Sequence, residues 1–243
     1  MEIISALTVY TEGNTYHSLN FKDQEGNWYN KTSNEMVKFT PDIAGDRVDR
    51  TKLCPEYKGY KMASGSVEGK HVKTPISDYY ALDNSYVVTM RNEIEAYEKL
   101  GSGHPNICKY HGCQVEDNLV TGIVLDEYSE PLEDAVIDSP QRLVEQLEDA
   151  VRYIHSVGVV HGDINPKNIM VHDGNLFLID FDSCGADNPK CGSEGYMSPN
   201  YAKTEADDWY AVGKVKEFVM KSARSNDEPR GDRPQQGTAE SAA

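Results

Sequence analysis

His161-Gly162-Asp163-Ile164-Asn165-Pro166-Lys167-Asn168 puts an Asp and an Asn five positions apart, and Asp180-Phe181-Asp182 begins twelve residues after that Asn. Val159-Val160 leads into the first stretch from a helical pattern. Between the two stretches, Ile169-Met170-Val171 and Leu176-Phe177-Leu178-Ile179 flank Asp173-Gly174, which reads as a tight hairpin. Asp180 therefore stands at the exit of a buried strand, a common place for a metal-binding carboxylate.

Moving outward, Leu143, Leu147, Ala150, Val151 and Ile154 recur at helical spacing. Ser139 fits as the N-cap of that helix, Pro140 as its first residue and Gly158 as its stop. Asn106–Val115 and Leu119–Leu125 read as two strands joined by Glu116-Asp117-Asn118. Met90, Ile94, Tyr97 and Leu100 define a helix over 90–100, ended by Gly101-Ser102-Gly103. Glu93 lies on the border of its apolar stripe and needs either a cationic partner or access to water. Tyr57–Lys73 reads as strand, Gly/Ser turn and strand, ended by Pro75. Residues 1–54 form an N-terminal extension of short strands and loops. A third helix is expected over 207–221, with Trp209 and Tyr210 in the core, and residues 222–243 read as a disordered tail.

Composition narrows the functions. Hydrophobic residues make up 38% and charged residues 26% of 243 residues, enough for one core in one or two lobes. The net charge of −16 argues against a nucleic-acid surface or an anionic membrane as partner, since both call for clustered Lys and Arg. No apolar run approaches a membrane helix, and Met1–Tyr10 lacks the basic start of a signal peptide. The five cysteines are an odd count with poor zinc spacing, so reduced thiols in a cytoplasmic protein are expected. The Asn30-Lys31-Thr32 sequon means little without a secretory signal. Asp180-Phe181-Asp182 does not open a calcium loop, because Cys184 and Cys191 fill positions that need oxygen ligands.

These residue types suit phosphoryl transfer, which needs positioning, metal neutralisation of phosphate oxygens and a carboxylate beside the attacking hydroxyl. Asp163 suits that carboxylate, while Asn168 and Asp180 offer hard oxygen ligands for Mg2+. Lys73 could pair with nucleotide phosphates and with Glu93, twenty residues on. His161 reads as a brace for the loop.

The ordered set resembles the eukaryotic protein-kinase-like family over residues 55–221. His161-Gly162-Asp163 to Asn168 is similar to its catalytic loop, and Asp180-Phe181-Asp182 to its metal-binding motif. Gly195-Tyr196-Met197-Ser198-Pro199 resembles the end of its activation segment, and Asp208–Gly213 the start of the following helix. His104-Pro105-Asn106-Ile107 and Glu127-Tyr128 resemble the next strand and the hinge. In wording such as Tyr110-His111-Gly112-Cys113, the chain is most similar to small fungal kinase-like proteins.

The resemblance implies an α+β, two-lobe fold. Its small lobe would span 55–128, and a truncated helical lobe 129–221. ATP and Mg2+ would lie in the cleft, with Lys73, Glu93, Asp163 and Asn168 as catalytic residues. Asp180 and Asn168 would hold the metal, and Glu127, Tyr128 and Ser129 would meet the adenine mainly through backbone groups.

Departures qualify this. Gly162 replaces an Arg, so activation by loop phosphorylation is not expected. Asn165 aligns with the phosphate-stabilising Lys, and Lys167 lies two positions later. Asp182 replaces a Gly and adds charge at the metal site, Asn200 replaces the Glu of a structural ion pair, and Asp126 is unusually polar for the back of a nucleotide pocket. Gly59–Gly69 is at best a degenerate phosphate loop. Loss of one preorganised contact costs roughly 100–1,000-fold in rate, which predicts a slow Ser/Thr-type protein kinase rather than an inert one. The alternatives are a small-molecule kinase of the aminoglycoside or choline phosphotransferase type, and a nucleotide-binding pseudokinase. The substrate, protein or small molecule, is not specified by the sequence.

Overall fold

The computed structural model describes residues 2–11, 14–40, 42–75, 85–101, 103–185, 187–188 and 190–227. Its centre is β7 (Leu119–Asp126), whose apolar residues are buried on both faces as a middle strand requires. It pairs antiparallel with β6 (Tyr110–Glu116) on one side and β5 (Lys70–Lys73) on the other, in the order β5-β7-β6. Asp117 and Asn118 both take positive φ (51° and 62°), the conformation that closes a two-residue hairpin. Helix α1 (Ser85–Leu100) buries Met90, Ile94, Tyr97 and Leu100.

Below the hinge, α2 (Pro140–Ser156) buries Leu143, Val144, Leu147, Ala150, Val151 and Ile154. Pro140 opens it as expected, but the Ser139 side chain makes no capping bond. β9 (Ile169–His172) and β10 (Asn175–Leu178) form the expected hairpin, and β8 (Glu130–Pro131) adds to its edge. Helix α3 (Glu205–Asp227) packs on α2. One apolar core runs through α1, β6, β7, α2, the β9–β10 hairpin and α3. The architecture is α+β, with α2 and α3 packed together below the hinge. Among the described residues no helix is long and apolar enough to cross a membrane.

Several expectations are corrected. Strand structure begins at Tyr110 rather than Asn106, with Ile107 forming an isolated bridge to Leu178. Helix α3 continues to Asp227, so residues 222–227 are helical, and 228–243 lie outside the described residues. Trp209 and Tyr210 are each 37% exposed, because the α3 face turned inward carries Asp207 and Asp208 instead.

No strand forms over 57–63. That stretch makes isolated bridges, Glu56 to Leu119 and Met62 to Cys113, the latter on the β6 edge. Gly112 permits this approach: a Cβ there would lie 2.4 Å from Ala63 N. β5 is therefore an edge strand of its sheet.

The N-terminal extension holds longer strands than expected. β1 (Glu2–Thr11), β2 (Asn14–Lys22), β3 (Trp28–Ser33) and β4 (Asp46–Arg47) form an antiparallel meander. A small core of Trp28, Val48, Leu53 and Cys54, with Leu119 against it, joins the meander to the β6–β7 hairpin. Arg50 reinforces the junction through Asp117 (3.1 Å) and Glu116 O (3.2 Å).

Candidate active site

The His161 loop is shaped by one buried acid. Asp208, 1% exposed at the start of α3, accepts from His161 N and Gly162 N at 2.9 Å each and pairs with His155 Nε2 at 2.9 Å. Asp163 N donates to His161 Nδ1 (3.2 Å), while His161 Nε2 lies 3.0 Å from Ile179 O. These two contacts together require the neutral Nε2–H tautomer. Gly162 has φ +79°, and a Cβ there would meet Ser183 O at 3.1 Å, so the backbone itself opposes a side chain where the family carries Arg.

Within the loop the two asparagines hold Asp163. Asn165 Nδ2 donates to Asp163 Oδ1 (3.1 Å) and to Ser193 Oγ (3.2 Å), while its Oδ1 accepts from Lys167 N (2.9 Å). Asn168 Nδ2 donates to Asp163 Oδ2 at 3.0 Å. Ser193 N also reaches Asp163 Oδ1, at 2.6 Å. Residues 192–201 seat against the loop with a cavity of only about 10 Å3 between, room for about one water.

The second half of the site comes from far away in sequence. Lys73 Nζ, at the end of β5, lies 2.8 Å from Glu93 Oε2 on α1 and 2.6 Å from Asp180 Oδ1. Glu93 is 1% exposed, and Lys73 is the partner its position demanded. Burial pushes the Glu93 carboxyl up to about 7 even so, because the single charge of Lys73 is shared with Asp180 and Asp182. Burial opposes the Lys73 charge, but the three carboxylates outweigh it and hold the ammonium well above its ordinary range. Asp180 follows β10 with φ 63°. Burial alone would raise its carboxyl, but Lys73 and Lys190 together bring it down to about 2.

An aromatic column ties these pieces together. Tyr110 stacks on Tyr97 at 5.4 Å, Tyr97 meets Phe181 edge-on at 5.1 Å, and Phe181 packs on His161 at 4.8 Å. The sheet, α1, the Asp180-Phe181-Asp182 turn and the His161 loop are thereby packed into one column.

The departures find local answers. Asp182 is met by Lys190 Nζ at 2.5 and 2.6 Å, so the added carboxylate is compensated. Asp126 bonds His111 Nε2 at 2.6 Å, which accounts for its polarity. Asn200 is exposed. At the hinge, Glu127 is exposed, the Tyr128 ring stacks on Phe177 (4.2 Å), and Ser129 Oγ donates to Val171 O (3.1 Å). The side chains of Tyr128 and Ser129 are thus engaged elsewhere, which leaves backbone groups for a ligand.

Sequence reasoning missed the positions of Ser193 and Lys190. Lys190 could have been noticed as the sole Lys or Arg between Asp180 and Pro199. Ser193 carries no comparable signal, since serine beside glycine ordinarily marks a turn.

The donor set fits Mg2+. Asn168 turns its amide nitrogen to Asp163, which leaves its carbonyl oxygen as a neutral ligand, and Asp180 supplies a carboxylate. Among the described residues no three His, Cys, Asp or Glu side chains gather into a metal site. Mg2+ takes one or two protein oxygens, with phosphates and water completing its shell. Cys54, Cys108, Cys113 and Cys184 are buried thiols.

The chain is 31% identical over 156 residues to the serine/threonine-protein kinase PrkC of Bacillus subtilis, covering 56% of this chain and 24% of that one. It is 30% identical over 173 residues to the maternal embryonic leucine zipper kinase of Xenopus tropicalis, covering 61% and 26%. The chain thus spans about a quarter of the length of these curated relatives. A crystal structure of the yeast RNA Pol II CTD kinase CTDK-1 complex aligns at TM-score 0.47 and 18% identity, over 56% of this chain and 50% of that one. The protein kinase domain model matches residues 69–228, from the strand that carries Lys73 to the end of α3. With two thirds of its length matched, this chain belongs to the protein kinase family.

Proposed function

We propose that the cleft binds ATP with Mg2+ and transfers its terminal phosphoryl group slowly to a serine or threonine hydroxyl. One observation carries the reading. Lys73 Nζ lies within 2.8 Å of Glu93 and 2.6 Å of Asp180, residues of three separate elements that have no apolar reason to converge. A buried acid that shares one ammonium with two other carboxylates is costly, and such perturbed groups cluster at functional sites.

In this reading Lys73, held by Glu93, orients the nucleotide phosphates, and backbone groups of Glu127, Tyr128 and Ser129 meet the adenine. Asp180 and Asn168 hold Mg2+, which when bound neutralises the phosphate oxygens. Asp163 orients the attacking hydroxyl and takes its proton, and the three donors on its carboxylate fix its direction. Two features favour slow turnover. The edge position of β5 leaves no strand pair as a roof in its sheet, and Asn165 supplies no charge. The name of the PrkC relative, a serine/threonine-protein kinase, supports a Ser/Thr substrate class.

The test is radiolabelled phosphate transfer from Mg·ATP to generic protein substrates and, separately, to small hydroxyl and amine compounds. Transfer to protein hydroxyls, abolished by Asp163→Asn, is expected. Transfer only to small compounds would replace the substrate class, and nucleotide binding without transfer to either would make the chain a pseudokinase.

A further inference from the structure

Lys190 Nζ lies 2.5 and 2.6 Å from the two carboxylate oxygens of Asp182. One of these oxygens, Asp182 Oδ2, is also 3.7 Å from Lys73 Nζ. A single carboxylate oxygen therefore separates Lys190 from the ammonium that contacts Asp180. The Lys190 side chain is 39% exposed and that of Asp182 is 17% exposed. The ammonium end of this half-buried pair is the more open to water, so Lys190 is the partner with room to turn away.

The catalytic loop offers no equivalent cation. Asn165 is neutral, and its amide nitrogen is taken by Asp163 and Ser193. Lys167 is exposed and forms no ion pair among the described residues. Before any nucleotide enters, the three carboxylates of Glu93, Asp180 and Asp182 already outnumber the ammoniums of Lys73 and Lys190. A triphosphate adds more negative charge than one bound Mg2+ offsets, and its terminal oxygens call for a further cation that can turn toward them.

We propose that Lys190 is that cation: it leaves Asp182 for the terminal phosphate and supplies the charge that Asn165 does not. The proposal rests on the nucleotide reading of the cleft. In the transfer step the hydroxyl oxygen bonds to the terminal phosphorus, the bond from phosphorus to the diphosphate oxygen breaks, and the hydroxyl proton passes to Asp163. Lys190 forms no covalent bond and transfers no proton. Its contact with Asp182 in the nucleotide-free protein keeps the activation segment beside the site and masks the extra carboxylate.

The test is calorimetric titration of the full chain with Mg·ATP and Mg·ADP, comparing wild type, Lys190→Met, Lys190→Arg and Lys167→Met. Lys190→Met should bind ATP roughly tenfold more weakly with ADP affinity retained, as expected for one lost charge-assisted contact. Lys190→Arg should restore the preference for ATP. An unchanged ATP-to-ADP ratio in Lys190→Met would overturn the proposal, whether or not the nucleotide-free melting temperature falls. Loss of the ratio in Lys167→Met instead would overturn it too, by moving the role to the loop. If wild type binds neither nucleotide, the nucleotide reading itself fails. Failure of Lys190 alone shows as a wild type that binds ATP and a Lys190→Met variant that matches it.

Discussion

The floor of the cleft and the place where its roof would sit follow opposite rules. On the floor, Asp163, Asn165 and Asn168 hold one another within a single loop, and Asp208 pins that loop by two backbone N–H groups. At the roof, residues 56–63 cross to the β6 edge and leave β5 as the sheet edge beside Lys73. The contrast shows that Lys73 does not depend on strands ahead of it. Its position is fixed from below and behind, by Asp180, Glu93 and the aromatic column.

The largest effect should come from breaking the floor. Asp208→Ala leaves the His161 and Gly162 N–H groups and His155 without their acceptor. It should cost about 3–5 kcal/mol in urea unfolding, the scale for unpairing buried charged hydrogen bonds. Gly112→Ala tests the diverted segment. Its Cβ would strike the Ala63 backbone at φ +133°, so a loss of about 2–4 kcal/mol is expected, with the Met62 bridge opened. A loss similar to an ordinary surface Gly→Ala change would mean that the crossing segment is loosely held.

A smaller effect concerns pH. Glu93 ordinarily titrates near 4.5 and is raised to about 7 in the fold, so the protonated form is favoured by folding. Its contribution to stability is full below 4.5 and is lost as pH rises through about 7. The melting temperature of wild type minus that of Glu93→Gln should therefore be more positive at acid than at alkaline pH. The smallest effect is expected at Gly65, which has φ +80° and open space around its Cβ position. Gly65→Ala should cost roughly 1 kcal/mol in backbone strain and leave ATP affinity unchanged, whereas a phosphate-cradling glycine would lose affinity.

The floor was legible because its geometry is local. The five-residue spacing of Asp163 and Asn168 and the Asp173-Gly174 turn specify their own conformations within a few residues. The sequence leaves Glu93 a choice between a cationic partner and water, and its burial on α1 decides for Lys73. The 57–63 strand was misjudged because short apolar pieces fit several edges. Gly112, about fifty positions away in sequence, leaves room for the edge that is taken. Trp209 and Tyr210 are expected in the core, but the inward face of α3 carries Asp207 and Asp208 with Ala211, Val212, Val215 and Val219. The acids are held by backbone N–H groups and by Ser198, Thr204 and His155, which hydrophobic patterns do not reveal. Lys190 and Ser193 fall in a segment without periodicity, so nothing local aims them.

The account stands on the Lys73–Glu93–Asp180 cluster being a site for magnesium and nucleotide phosphates. Thermal melting of wild type and Asp180→Ala, with ATP at about a hundred times its Kd and with or without Mg2+, tests this directly. Wild type should gain roughly 5–10 °C only when both are present, and Asp180→Ala should gain little. No magnesium-dependent gain in wild type, or an equal gain in Asp180→Ala, would contradict the account.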